Sequence, residues 1–401
     1  MLNGQLTNET LHNLNIIKGE GDYLINDAHQ KYIDFSSGLW NVSLGYSHEL
    51  NQRIGNKFSK ILDNNLPYLD MTSYTNDLYL STAEILLKFI DESDFKNVIY
   101  TNSGSESLEV ALKIVNTIKK DTMILSFSES YHGTFYGGMS ISGLTKNIVQ
   151  NHSPNYDNKI NISMPSNFEE EKEFIKFLKD TSNIGAIFIE PIIGSGGIKF
   201  CSFEFYNELL NLCEDKGILT IFDEVATGFY KTGKTFFFKH LNNTPDILCL
   251  SKSINNGTLP SGAVIINEKT QQHLSNKKLK HMSTQNGNLL SLASIFETIN
   301  FYYEYDYKLH NNVDDISNIA KKLLWEYQID ARILGCMIAI PIPSEGLSII
   351  LKKLKENGII TYRFINEQEV GLTLFPHINM DIKLFKKSFN QILKVIKKYT
   401  R

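Results

Sequence analysis

Four short stretches of this chain combine residue types that could do chemistry, and each follows an apolar run. Residues 218–229 read ILTIFDEVATGF, an apolar run that ends in two adjacent carboxylates, Asp223 and Glu224. Burying a carboxylate is costly unless a fixed positive partner offsets the loss of water, so Asp223 calls for a cation in front of it. Side chains alternate along a strand, so Glu224 points the other way, with the surrounding loops as its available partners. The run 247–250 is followed by Ser251-Lys252-Ser253. A lysine at the end of a buried strand loses hydration, which lowers its pKa and suits bond formation with a carbonyl; the plain alternative is a lysine that turns out to solvent. The run 97–101 leads into Asn102-Ser103-Gly104-Ser105-Glu106, which opens a helical pattern. Free N–H groups and hydroxyls at a helix start form an anion site, although Ser103 or Ser105 would equally serve as a simple helix cap. The run 123–127 is followed by Ser130-Tyr131-His132-Gly133, where an aromatic ring and an imidazole can cover a flat ligand or only pack.

The elements that must position these residues follow from the hydrophobic pattern. Strand-length apolar runs fall at 97–101, 123–127, 186–190, 218–223, 247–250 and 263–266. They are rich in Ile, Leu, Val and Phe without clean alternation, as in strands covered on both faces. Helical patterns separate them: 105–119 places Leu108, Ala111, Val115 and Ile118 on one face, and 203–216 precedes the Asp223 strand. This alternation predicts an α/β fold with a mostly parallel sheet. The last hundred residues mix Lys-rich helices, around 312–327, 345–357 and 382–399, with short strands, as in a smaller α+β domain. In open α/β sheets ligands sit beyond the carboxyl ends of the strands, which is where all four stretches lie.

Bulk properties narrow the function. The 401 residues suffice for one large domain and a smaller one, and 42% hydrophobic with 21% charged residues is ordinary for a soluble protein. A formal charge of −4 argues against a nucleic-acid partner, and Lys277-Lys278 and Lys386-Lys387 read as solvated helix faces. Cys201, Cys213, Cys249 and Cys336 form no C-x-x-C pair, so neither a metal site nor a disulfide framework is expected. The N-terminal MLNGQLTNETLHNLN is polar and reads as no signal peptide, and no apolar stretch has the length of a membrane span. A cytoplasmic protein without membrane partners is the expectation.

An anion cradle, an aromatic platform, a carboxylate and a lysine at one sheet edge are the four things pyridoxal 5'-phosphate needs. Lysine forms the Schiff base, the carboxylate keeps the pyridine nitrogen protonated, helix N–H groups hold the phosphate and an aromatic covers the ring. The stretches GEGDYLINDAHQKYIDFSSG, TNSGSESLEVALK, ESYHGTFYGGMSISG, IGAIFIEPIIGSGG, GILTIFDEVATGFYKTGK, PDILCLSKSINNGTLPSGAV, STQNGNLLSLA and DARILGCMIAI occur in that order. In order and spacing the chain resembles the class III (ω-type) aminotransferases, from Gly19 to the last helix.

The resemblance implies the fold-type I architecture. It puts the N-terminal part of a small domain at 1–45, the large cofactor-binding domain at 46–299 and the C-terminal small domain at 300–401. It implies that Lys252 is the Schiff-base lysine and proton shuttle and that Asp223 faces the pyridinium. Ser103, Gly104 and Ser105 form the phosphate cradle. Tyr131 stacks on the ring with His132 beside it, Val225 packs on the opposite face, and Glu190 lies near the cofactor. Thr284 in STQNGN implies contact with the phosphate of a neighbouring subunit, hence a homodimer with shared sites.

Two departures bear on substrate. Many relatives that handle α-carboxylates carry an Arg shortly before a C-terminal Pro, with a Glu after the "EP" pair to hold it; here those positions are Thr373 and Ser195. Carboxylate recognition by that route is expected to be lost, with Arg363 and Arg332 as the C-terminal candidates to replace it, although Arg332 matches a structural position of the family. Trp40 falls in the segment that shapes the substrate pocket in relatives, where an aromatic fits amine donors or extended apolar substrates, or packs against the small domain. FDEVATGF and PDILCLSK are also similar to the aminotransferase of biotin synthesis, but Tyr230-Lys231 replace its usual Gly-Arg. The reading is amino transfer between an amine or amino-acid donor and a ketone or aldehyde acceptor, with natural-product or peptide tailoring as one setting. An aminomutase or racemase of the same fold, and a non-catalytic cofactor-binding regulator, are the alternatives.

Overall fold

In the computed structural model, residues 14–144, 158–277, 279–366 and 368–400 are described, so the polar stretch before residue 14 and Lys278 lie outside the described residues. A seven-stranded sheet runs in the order Phe95–Thr101, Gly262–Asn267, Ile247–Leu250, Leu219–Asp223, Ile184–Ile189, Met123–Phe127 and Lys159–Ile162. Its pairings are parallel except for Gly262–Asn267, which is antiparallel to both neighbours. The central strands are buried at every position, which is why they lack alternation: both faces are core. On one face Phe222, Leu248 and Ile189 join a large aromatic-rich cluster. On the other, Ile221, Cys249 and Phe188 pack with Leu108, Ala111 and Val115 of the Gly104–Ile118 helix.

Local signals set the strand that carries the two carboxylates. The Phe203–Lys216 helix starts on Ser202, whose hydroxyl accepts from Phe205 N, and ends at Gly217 in a left-handed conformation, φ 65°. Glycine takes that conformation without a Cβ penalty, and the chain turns at once into Leu219–Asp223.

The strand expected at 97–101 begins earlier, at Phe95, and the helix expected around 312–327 begins at Asp306. Lys159–Ile162 was not expected as a strand; it is an edge strand of half-buried residues, whose weak apolar run carries little signal. In the C-terminal part of the chain, Arg332–Leu334, Met337–Ile342, Val370–Leu374 and Tyr362–Ile365 form a four-stranded antiparallel sheet. Ile359–Ile360 joins the N-terminal strands Ile16–Glu20, Tyr23–Asn26 and Lys31–Asp34 by pairing in parallel with the last of them. The two ends of the chain therefore share a sheet. Among the described residues no helix is long and apolar enough to cross a membrane.

Candidate active site

Asp223 and Glu224 separate as strand alternation requires. Asp223 is buried, and its Oδ2 lies 2.9 Å from His132 Nδ1 while Oδ1 accepts from Val225 N at 3.1 Å. An ionised carboxylate only accepts, so the imidazole proton is assigned to Nδ1. Its Nε2 is buried and has no partner among the described residues. Glu224, fully buried, accepts from Phe237 N at 2.7 Å, Phe238 N at 3.0 Å and Thr227 Oγ1 at 3.0 Å. It pins the 227–238 loop, and burial pushes its pKa up to about 7. Glu190 follows the neighbouring strand, where Ile189 pairs with Phe222. It accepts from Tyr131 N and Gly194 N, both at 3.0 Å, and burial, then the charge of Asp223, pushes its pKa up to about 7.

Lys252 lies three residues beyond Cys249, the register partner of Asp223. It opens the Lys252–Asn255 turn with φ 45°, a left-handed backbone that is strained for a residue with a Cβ. Its Nζ lies 4.4 Å from the centroid of the Trp40 ring. Burial lowers its pKa from the ordinary lysine value, while the charges of Glu190 and Asp223 act against that shift. A cleft of about 490 Å³ opens beside it, lined by Asn102, Ser103, Ser251, Lys252, Asn255 and Ser261 among others.

The Gly104–Ile118 helix begins at this cleft. Ser103 caps it, accepting from Glu106 N at 3.2 Å, and Glu106 reaches back to Asn102 N at 2.7 Å. This reciprocal arrangement is close to a capping box, so the capping and anion-site readings of Ser103 are compatible. The amides of Gly104 and Ser105 have no intrahelical acceptor, being in the first turn. Two glycines keep the surroundings open. A Cβ on Gly104 would lie 2.8 Å from Val225 Cγ1, and one on Gly133, φ 100°, would lie 2.6 Å from Ser105 Oγ. Tyr131 is half-buried, and burial, then the charges of Asp223 and Glu190, raises its phenol pKa. Thr284 is exposed on a loop whose Ser283 and Asn286 meet Asn102 Nδ2 at 3.2 and 2.5 Å. These residues fit pyridoxal phosphate: first-turn amides free for the phosphate, a buried carboxylate with one oxygen on an imidazole, and a lysine in the cleft at that helix start.

The substrate-side candidates divide. Trp40 is buried, 4.5 Å from the Phe375 ring and edge-on to Tyr362 at 6.4 Å, so it packs and also walls the site. Gly194, beside Ser195, is closely covered by the indole: a Cβ there would lie 3.0 Å from Trp40 Cζ3. Arg332 is committed elsewhere, bonding Glu369 through both terminal nitrogens and Gly197 O through Nε at 2.6 Å. Arg363 is exposed and, by strand alternation, faces away from the side on which Tyr362 meets Trp40. Thr373 is buried, and its hydroxyl has no partner among the described residues. Sequence reasoning missed the bond from His132 to Asp223, the contacts of Asn102, and the Phe375 and Tyr362 walls. All are long-range, and only the proximity of His132 to a strand end hinted at one of them.

The profile of the class-III aminotransferase family matches residues 6–396. The chain is 36% identical over 353 residues to an acetylornithine aminotransferase from Lactococcus lactis, covering 86% of this chain and 88% of that protein. It is 27% identical over 430 residues to an adenosylmethionine-8-amino-7-oxononanoate aminotransferase from Staphylococcus aureus, covering 94% and 92%. Among solved structures it superposes on a transaminase from the marine bacterium Virgibacillus with TM-score 0.89 at 23% identity, covering 100% and 97%. It superposes on the adenosylmethionine-8-amino-7-oxononanoate aminotransferase of Methanocaldococcus jannaschii with TM-score 0.85 at 25% identity, covering 97% and 94%.

Proposed function

The chain belongs to the class III aminotransferases, which depend on pyridoxal 5'-phosphate, and within that family we propose that it takes its amino group from a small amine with an apolar or aromatic body and passes it to a carbonyl acceptor. The cofactor, when bound, supplies the aldehyde that receives the amino group and a ring that accepts the electron pair. In this reading Lys252 Nζ attaches it and, once released, carries the proton from the substrate carbon. Its lowered pKa keeps a share of the amine unprotonated for that task. Asp223 holds the ring nitrogen's proton, with His132 Nδ1 orienting the carboxylate. The first-turn amides of the Gly104–Ile118 helix, with Ser103 and Ser105, hold the phosphate. Tyr131 and Val225 cover the ring faces, and Glu190 orders the loop that carries Tyr131. The exposure of Thr284 leaves it available to a partner subunit, in support of a homodimer.

One observation carries the substrate reading: the arginine supply. The sequence contains four arginines, Arg53, Arg332, Arg363 and Arg401. Among the described residues, Arg53 pairs with Glu49 and Glu304, Arg332 pairs with Glu369, and by strand alternation Arg363 faces away from the Trp40 wall; Arg401 lies outside the described residues. A bidentate clamp on a carboxylate is an arginine's task, and the position that would hold it is the buried Thr373. Trp40, Phe375 and Tyr362 offer apolar contact instead. The test is a panel of donors added to the cofactor-loaded protein while its visible band is followed. An arylalkyl amine should discharge the band at concentrations where glutamate and alanine leave it intact. Equal discharge by glutamate would overturn the substrate reading.

A further inference from the structure

A second buried amine lies behind the Lys252 turn. Lys231 is 2% exposed, and its Nζ donates to Ser253 Oγ at 2.5 Å and to the Gly228 carbonyl at 3.4 Å. Among the described residues no carboxylate forms an ion pair with it. An ammonium buried without a direct ion pair is costly, and burial, then the charge of Lys252, pushes its pKa down to about 7, while Cys336 and the charge of Glu224 act against that shift. A stable fold does not require such a residue; a buried apolar side chain of similar length would be cheaper.

The arrangement around Ser253 shows what the amine does. Ser253 Oγ accepts from Lys231, lies 2.6 Å from Ser43 Oγ, and donates to the Trp40 carbonyl at 3.3 Å. A hydroxyl has one proton and two lone pairs. With its proton on the Trp40 carbonyl, it takes the Ser43 proton, and the third position belongs to Lys231. This saturated junction bolts together two strained segments. Lys252 has φ 45°, and in Ser37–Trp40 every residue is left-handed, with φ values of 45°, 56°, 58° and 68°. Such conformations persist only where the surroundings over-determine them. The two segments meet where the Trp40 ring lies 4.4 Å from Lys252 Nζ.

We infer that Lys231 is a positioning residue: through Ser253 it fixes the Ser37–Trp40 segment to the Lys252 turn and so sets where the Lys252 amine sits. The functional part of this inference rests on the proposed role of Lys252. Lys231 touches neither substrate nor cofactor in this account, and it acts only through Ser253.

Trp40 and Trp325 are the two tryptophans, and Trp325 is 82% exposed, so a Trp325→Phe background leaves Trp40 as the sole indole reporter. In that background Lys231→Met, Ser253→Ala and the double variant are compared by tryptophan emission of the cofactor-free chain and by steady-state kinetics of the loaded one. Each single variant should shift Trp40 emission to the red. Each should lower kcat by about tenfold with KM for the amine little changed, the signature of a misplaced reacting group. The double variant should be no worse than the worse single. Unchanged Trp40 emission in Lys231→Met, or losses that multiply in the double variant, would overturn the inference. The emission data do not depend on what Lys252 does: if Lys252→Ala still binds the cofactor covalently, the role of Lys252 fails while the effect of Lys231 on Trp40 is read separately.

Discussion

Replacing Glu224 by Gln separates the two neighbouring carboxylates by experiment. Burial pushes the folded pKa of Glu224 up to about 7 from the ordinary glutamate range near 4.5. That difference corresponds to about 3 kcal/mol at most. The sign is set by which state holds the proton more tightly, and here it is the folded one. The stabilisation is therefore present below the unfolded pKa and is lost as the pH rises through about 7. Glutamine has no proton to lose, so it escapes this loss. It places an NH2 group against one of two backbone donors, Phe237 N or Phe238 N, at a pH-independent cost of about 1–3 kcal/mol. The variant should be less stable than the parent at pH 4.5 and close to it, or better, at pH 8. With an unfolding entropy of about 2.1 cal/mol/K per residue, 401 residues give roughly 0.8 kcal/mol/K. The difference in thermal midpoint between variant and parent should then move by about 4 °C in the variant's favour between these pH values. Thermal scans of the cofactor-free proteins at matched concentration measure it. A difference that stays constant with pH would refute the claim that burial raises the Glu224 pKa.

Asp223→Asn should retain cofactor poorly and lose most turnover; wild-type turnover would contradict its place opposite the ring nitrogen. Gly133→Ala puts a Cβ about where Ser105 Oγ lies, 2.6 Å away, on a backbone of φ 100°. It should weaken cofactor affinity by at least about tenfold by fluorescence titration, for a cost of roughly 1–3 kcal/mol, and unchanged affinity would mean that Ser105 is not part of the cradle. Thr284→Val should lower cofactor affinity in a dimer of unaltered stability, measured by titration alongside sedimentation; unaltered affinity would show that Thr284 does not reach the phosphate.

Much of the fold and the site's raw material was legible because the informative residues follow strands. Buried strands of a parallel sheet announce themselves as apolar runs, and the residue types after 97–101, 123–127, 218–223 and 247–250 stand out against them. The antiparallel direction of Gly262–Asn267 was not legible, since a fully buried strand reads alike in both directions. The partner of Glu224 was foreseen only as "the loops", because Phe237 N and Phe238 N are backbone donors that carry no sequence signal. His132 was placed beside Tyr131, yet it bonds Asp223 across 91 residues, a contact made by sheet packing. Arg363 stands in the sequence as a C-terminal candidate arginine, and its direction is legible only once strand alternation is anchored by Tyr362 on Trp40. Lys231 stands out in the sequence only as part of the Tyr230-Lys231 pair that replaces the usual Gly-Arg. Its junction with Ser253 and Ser43 joins three distant segments and exists only in the fold.

The most direct test of the central claim is the visible absorption spectrum of the purified protein and of Lys252→Ala, each loaded with pyridoxal phosphate and then treated with the amine panel. The account predicts that the parent shows the band of covalently held cofactor and that an amine with an apolar body discharges it. Lys252→Ala should show only the spectrum of free or loosely held cofactor and no turnover. A parent-like band and turnover in Lys252→Ala would contradict the account.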